Sequence, residues 1–217
     1  KRVDGLLVGD FALHGITEEL LKLDTPTVFI GHLANQAVDS VKIDDFGGGY
    51  MVGEHLARQG HKHVVQVTGP ELFESAMARA DGFEQALKDN KIRFSRKQRY
   101  LGSYLPPSGR EAAQWIATLS GDDRPSAVFV GNYLMAMGLL AEFHDQGVRV
   151  PKDIAVAIFG DLPQLEYVRP NLTRAGENPG ALARRAVEML LDRLNGKFDG
   201  PPRTEVIPCA LRIFESA

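Results

Sequence analysis

Short apolar runs alternate with amphipathic stretches along almost the whole chain, and this alternation limits the fold more than any other feature. Residues 6–8, Thr27–Ile30, Val64–Thr68, Ala127–Val130 and 154–159 are short, rich in β-branched residues and bounded by Gly, Pro or Asp, as buried strands are. Their hydrophobicity is continuous rather than alternating, so parallel sheets covered on both faces are expected. Between the runs lie helices with legible ends. Residues 46–59 stop at Gly60, and residues 76–88 carry Ala76, Ala80, Phe83 and Leu87 on one stripe. Ser108 and Glu111 form a capping-box pattern ahead of residues 112–119, and residues 133–146 stop before Gly147. Asn178-Pro179 opens a last helix and Asn195-Gly196 closes it, with Val187, Leu190, Leu191 and Leu194 as its expected buried stripe. Strand–helix alternation throughout predicts an α/β fold, in which ligands bind beyond the carboxyl ends of the strands.

Composition narrows the function classes. The 217 residues, 44% of them hydrophobic, suffice for one large domain or two lobes. A module that works by gripping phosphates is expected to be basic, whereas the net charge here is -3, so autonomous DNA or RNA binding is not expected. The single cysteine, Cys209, rules out an intramolecular disulfide and fits a reducing cytoplasm. No apolar run reaches the length of a membrane span, and no secretory signal is visible. The chain opens on Lys1-Arg2, with no initiator Met, and runs straight into the strand-like Val3-Asp4-Gly5-Leu6-Leu7-Val8; it reads as a fragment.

Catalytic machinery is not found. None of the six histidines, His14, His32, His55, His61, His63 and His144, belongs to an HExxH or Cys/His pattern, so no metal site is expected. His61 and His63 read as part of a surface turn between a helix and a strand. Gly47-Gly48-Gly49 lacks the frame of either phosphate-cradling motif, and close packing at a helix start explains it better. There is no GxSxG elbow, and Cys209 reads as a small buried residue. No catalytic residue and no cofactor is predicted.

Five segments, in order, resemble the effector domains of lactose/galactose-repressor-type regulators. They are Val3-Asp4-Gly5-Leu6-Leu7-Val8; Ile43-Asp44-Asp45 with Gly48-Gly49-Tyr50-Met51-Val52-Gly53, then Leu56 and Gly60-His61; Ala78-Arg79-Ala80-Asp81-Gly82-Phe83; Met135-Ala136-Met137-Gly138 with the stretch from Gly147 to Val156; and Pro170-Asn171-Leu172-Thr173. The resemblance implies a two-lobed fold of the periplasmic-binding-protein type, each lobe a parallel sheet flanked by helices, with a ligand in the inter-lobe cleft. It puts residues 1–69 and 176–204 in an N-terminal lobe and 70–175 and 205–217 in a C-terminal lobe. Crossovers are expected near Gly69-Pro70, Arg174 to Glu177, and Thr204 to Val206. It also implies that a helix-turn-helix and the first part of the N-terminal lobe precede this chain, leaving that lobe incomplete here and its apolar surface in need of cover.

The same resemblance assigns candidate ligand residues. Arg79 stands at the arginine of the family's R-x-x-G-aromatic stretch, and its planar fork of donors suits vicinal hydroxyls or a carboxylate. Asp161, after Ile158-Phe159-Gly160, is placed to accept sugar hydroxyls or to cap a following helix. The family more often has two acidic residues here, and the Phe-Gly-Asp variant resembles a branch answering to gluconate-like sugar acids. Asn132-Tyr133 stands where Asn-Asp is usual. Asn132 offers an amide to a hydroxyl pair, while Tyr133 offers an aromatic face in place of a charge. Asp45 faces the ligand or caps its helix. Phe73 and Ser75 follow the first crossover, and Phe73 stands where the purine-repressor branch has an arginine, which argues against a purine. Phe73, Phe129 and Tyr133 together are a candidate apolar platform, though core packing is the default for Phe129.

The expected protein is therefore a cytoplasmic, non-enzymatic, dimeric repressor domain. It binds a sugar, sugar acid or sugar phosphate, and meets operator DNA only through the absent N-terminal segment. The alternatives are a periplasmic sugar-binding protein of an uptake system and a flavodoxin- or Rossmann-type enzyme. The latter requires a phosphate loop or acid–base pair, and neither is found.

Overall fold

The computed structural model describes residues 3–9, 22, 25–31 and 38–217. Along the chain run β1 (Leu6–Gly9), β2 (Thr27–Ile30), β3 (Asp39–Ile43), α1 (Asp45–Arg58), β4 (Val64–Thr68), α2 (Glu74–Asp89) and β5 (Arg99–Leu101). Then follow α3 (Pro106–Thr118), β6 (Ala127–Val130), α4 (Tyr133–Asp145), β7 (Ala155–Phe159), β8 (Thr173–Gly176), α5 (Pro179–Leu194), β9 (Thr204–Ile207) and β10 (Ala210–Arg212). The chain divides into two compact units, residues 1–44 with 177–208 and residues 45–176 with 209–217. Among the described residues no helix is long and apolar enough to cross a membrane.

In the first unit four strands lie in the order β1-β2-β3-β9, all parallel. Val28 and Val41 of the sheet pack with Leu182, Ala186 and Met189 of α5. The sequence expectation for α5 is therefore corrected. Val187, Leu191 and Leu194 are 41%, 47% and 40% exposed, and the neighbouring row of apolar residues faces the sheet instead. Leu190, between the two rows, is partly buried against the core. Asn178 caps the helix as expected, its side-chain oxygen accepting from the Gly180 amide at 2.8 Å.

In the second unit six strands lie in the order β10-β8-β7-β6-β4-β5, parallel except for β10 against β8. Continuous apolar runs fill the middle of this sheet. Val64, Val67, Val128, Val130, Val156 and Ile158 are fully buried, as expected of strands covered on both faces. The expected first boundary at residues 69/70 moves to 44/45, because β4 lies between β5 and β6 and α1 packs on α2. The other two divisions fall at 176/177 and 208/209.

Glycines set the helix spacing in this unit. A Cβ on Gly49 would lie 2.1 Å from the Arg79 carbonyl oxygen, and one on Gly82 would lie 2.0 Å from that of Phe46. The two helices thus meet backbone to backbone, so Gly47-Gly48-Gly49 is a packing motif and not a phosphate loop. Gly109 and Gly138 do the same between α3 and α4. The Ser108/Glu111 capping box does not form. Pro106 starts α3 one turn earlier, in the first-turn position that proline favours. The Ser108 hydroxyl instead donates to the Leu105 carbonyl and accepts from the Ser103 amide, and Glu111 accepts from the Tyr100 hydroxyl.

Candidate functional site

The segments that leave the carboxyl ends of the second unit's strands carry most of the predicted residues. After β4 the chain passes Gly69 to Phe73, which sits at the N-cap of α2. After β6 it passes Gly131 to Asn132, and after β7 it passes Gly160 to Asp161. In a parallel sheet these loops share one end, so the topology gathers residues far apart in sequence.

Arg79, in the second turn of α2, is the centre of this region. Its Nε donates to Asp45 Oδ1 at 2.6 Å and its Nη1 to the Gly131 carbonyl at 2.8 Å. Its guanidinium carbon lies 3.9 Å from the centroid of the Phe159 ring, at cation–π distance. Both members of the ion pair are withdrawn from solvent, with side-chain exposures of 15% for Arg79 and 3% for Asp45. A charge pair this buried is weak evidence for stability, since desolvation offsets its attraction. What it supplies is a fixed guanidinium. The α1–α2 glycine contact brings Asp45 to Arg79, and Gly48 makes room for Phe159 beneath it. A Cβ at Gly48 would meet that ring at 2.5 Å and the Cys209 sulfur at 2.9 Å.

Asp161 is buried and does not cap a helix, since Leu162 holds the N-cap of the short turn over Pro163–Tyr167. Its Oδ1 accepts from Arg174 Nε at 2.7 Å and its Oδ2 lies 3.3 Å from Arg212 Nε. Among the described residues Arg174 is the largest of the fully buried side chains. It also donates to Asn171 Oδ1 and to the Leu172 carbonyl, both at 3.2 Å, and lies 4.4 Å from the Phe214 ring centroid.

The other predicted residues divide. Asn132 uses both ends of its amide within the fold. Oδ1 caps α4 by accepting from the Met135 amide, and Nδ2 donates to the Tyr104 carbonyl, each at 2.9 Å. Tyr133 and Phe73 are half-buried against the core, and Phe73 lies 5.6 Å from the Tyr104 ring. Ser75 is buried in the first turn of α2. Phe129 is a correction: it is fully buried and stacked 4.9 Å from Phe83, because its strand position faces α2, so it belongs to no exposed platform. Sequence reasoning did not assign Phe159, Tyr104, Arg174 or Arg212 to the site. The available signal was an arginine amid the small and apolar residues of β8.

Two other features lie elsewhere. One surface hollow, of about 600 Å³, is ringed by charged side chains including Asp81, Glu84, Lys88 and Arg93, and none of the predicted site residues lines it. We place the site at the strand ends because convergent, mutually oriented polar groups specify a ligand better than volume does. His61 hydrogen-bonds Ser126 Oγ through Nδ1 at 2.9 Å. Among the described residues no group of three His, Cys, Asp or Glu could hold a metal; His14 and His32 lie outside those residues.

Residues 54–216 match the periplasmic binding protein-like domain family. The chain is 34% identical over 212 residues to the HTH-type transcriptional repressor PurR of Shigella dysenteriae, covering 96% of this chain and 62% of that protein. It thus spans about 62% of the length of the curated relatives it matches. Among solved structures, a complex of the transcriptional regulator CelR with cellobiose superimposes with a TM-score of 0.88 at 26% identity, covering 99% of this chain and 66% of that one. A LacI family transcriptional regulator from Enterococcus faecium, with bound ribose, gives 0.86 at 26% identity, covering 99% and 79%.

Proposed function

Because the chain belongs to the periplasmic-binding-protein-like family, as an effector-binding domain of the lactose/galactose-repressor type, we propose that it senses a small polar effector at the strand-end face of its second unit. The effector is a sugar, sugar acid or sugar phosphate. Neighbours at 26% identity whose structures carry cellobiose and ribose support that class. The domain is cytoplasmic and homodimeric, does not catalyse, and reaches operator DNA through a separate N-terminal segment of the full protein. Effector binding acts by linkage: a ligand that favours one of two conformations shifts their balance and so the affinity for DNA.

The observation that carries this reading is the clamped Arg79. Asp45, the Gly131 carbonyl and Phe159 hold its guanidinium in one orientation, which is what recognition of a small polar molecule requires. A thermal-shift screen against sugars, sugar acids, sugar phosphates and purines tests it. A ligand at about 100 times its Kd adds roughly 2.7 kcal/mol of stability. One chemical class is expected to stabilise the wild type and to have no effect on Arg79→Ala. Arg79→Lys, which keeps the charge opposite Asp45, is expected to stay folded and to bind weakly. An unchanged ligand shift in both variants would refute the assignment.

A further inference from the structure

Asp161, the carboxylate expected to accept sugar hydroxyls, is already engaged by two arginines. One oxygen is held by Arg174 at 2.7 Å and the other lies 3.3 Å from Arg212. Together with the Arg79–Asp45 pair, three guanidiniums face two carboxylates, so the cluster carries one excess positive charge. That excess is not distributed evenly. Arg174 is enclosed, with 2% of its side chain exposed, and donates to a carboxylate, an amide oxygen and a carbonyl. Arg212 is 51% exposed, and no described residue accepts a hydrogen bond from its terminal nitrogens.

The strand register fixes where Arg212 stands. Arg212 on β10 is directly opposite Arg174 on β8 in an antiparallel pair, so the two side chains leave the same face and converge on Asp161. Asp161 follows Phe159 by two residues, a span of at most ~7 Å. Phe159 is the ring beneath Arg79. Arg79 has its Nε and Nη1 engaged, while no described residue accepts from Nη2. Two guanidinium edges with unused donors therefore flank the Phe159–Asp161 segment.

We propose that the effector carries an anionic group, a carboxylate or a phosphate, and that Arg212 engages it, with Asp161 acting as the positioning residue for Arg212 and not as an acceptor for the ligand. This rests on the effector-site reading above and deepens it. Only the Arg212 side of this pair is exposed, and buried Asp161 keeps its 2.7 Å bond from Arg174 when Arg212 turns to a ligand, so the carboxylate is not left unpaired. A guanidinium matches carboxylate or phosphate oxygens with two parallel hydrogen bonds.

The test is a binding titration of the wild-type protein with matched sets of aldoses, aldonates and aldose phosphates, covering pentoses and hexoses. An anionic member is expected to bind at least tenfold more tightly than its neutral parent. The aldonate and phosphate arms identify which anion it is. Arg212→Gln, on a half-exposed edge-strand position that does not threaten the fold, is expected to abolish that preference. Arg212→Lys, which keeps the charge but not the fork, is expected to retain part of it. Asp161→Asn is expected to lower the anion-to-neutral ratio, a readout that general destabilisation would not move. If a neutral sugar binds most tightly and Arg212→Gln has no effect, this inference is overturned and the sensor reading stands. If no member of any set binds the wild type, the sensor reading fails and takes this one with it.

Discussion

The two units hold their helices by different means. In the second, α3 and α4 join Val128, Val130, Val156 and Ile158 in a core of fully buried apolar side chains, among them Met135 and Leu139. Among the described residues of the first, Val28, Val41, Leu182, Ala186 and Met189 form a buried cluster, and α5 is also fastened to the sheet by arginines. Arg193 takes both oxygens of Asp39 at 2.9 Å, Arg185 takes both of Glu205 at 2.5 Å, and Arg203 reaches Asp192 at 3.0 Å. The lesson concerns what each unit can tolerate. An apolar core resists salt and acid but not truncation, whereas a clamp of ion pairs depends on the charge of each member.

The largest effect is expected in the second unit. Leu139 is fully buried in the α3–α4 core, so Leu139→Ala removes buried methyl groups and leaves a cavity. A loss of about 2–5 kcal/mol in denaturant unfolding is expected. A loss below about 1 kcal/mol would show that this core is loosely packed and would remove the contrast between the units.

Next in size is the clamp. Asp39 has 1% of its side chain exposed and also accepts from the Arg203 amide at 2.9 Å. Asp39→Ala leaves that amide and the Arg193 fork without their acceptor, at a cost of about 1–3 kcal/mol. Amide hydrogen exchange is the appropriate measurement, because it reports the two units separately. Protection is expected to fall in β3 and α5 and to hold in β6 and β7. Equal loss in both would mean that the units unfold as one.

How far the sequence predicts this arrangement follows from the same contrast. The second unit's strands are legible because its sheet is buried on both faces, and so they read as unbroken apolar runs. Arg79 is legible because its motif is local. The first boundary is not, since the run Val64–Thr68 would suit the middle of either parallel sheet; only pairing with β5 and β6 decides it. Nor is the buried row of α5. Residues 182, 186 and 189 and residues 187, 191 and 194 share the same helical spacing, and periodicity cannot say which row meets the sheet. The Asp161–Arg174 pair is hidden for another reason: its members are thirteen residues apart on adjacent segments, and an arginine within a strand gives no sign of its partner.

Acid separates the units further. Burial pushes the Asp39 carboxyl upward, but the Arg193 guanidinium and the Arg203 amide outweigh it and hold it below the usual carboxylate range. The Arg185 fork does the same for Glu205 against a smaller effect of burial. Groups with depressed folded values contribute stability that is present above the unfolded pKa, near ~4, and lost as pH falls through the folded value. Exchange protection of α5 and β9 is therefore expected to decline on acidification below that point, ahead of protection in β6 and β7. Simultaneous loss would contradict the view that ion pairs fasten the first unit.

The smallest effect lies in the second unit and has the opposite chemical origin. His61, at the turn between α1 and β4, is held below the usual histidine value first by burial and second by the nearby His55. Its ring hydrogen-bonds Ser126 Oγ at 2.9 Å, and that residue's amide donates to the His63 carbonyl at 2.8 Å just before β6. A histidine with a depressed folded value takes up its proton more readily when unfolded. Its contribution is therefore complete above about pH 6.5 and is lost as pH falls from there toward the folded value. Unfolding free energies measured between pH 7.5 and pH 5.5, about one pH unit either side of the ordinary histidine value, are expected to slope downward in the wild type and to flatten in His61→Gln. This window lies above the range where the first unit's carboxylates titrate, so the two contributions can be measured in one protein. An identical slope in the variant would assign the near-neutral sensitivity to another group and leave the turn at His61 with a packing role alone.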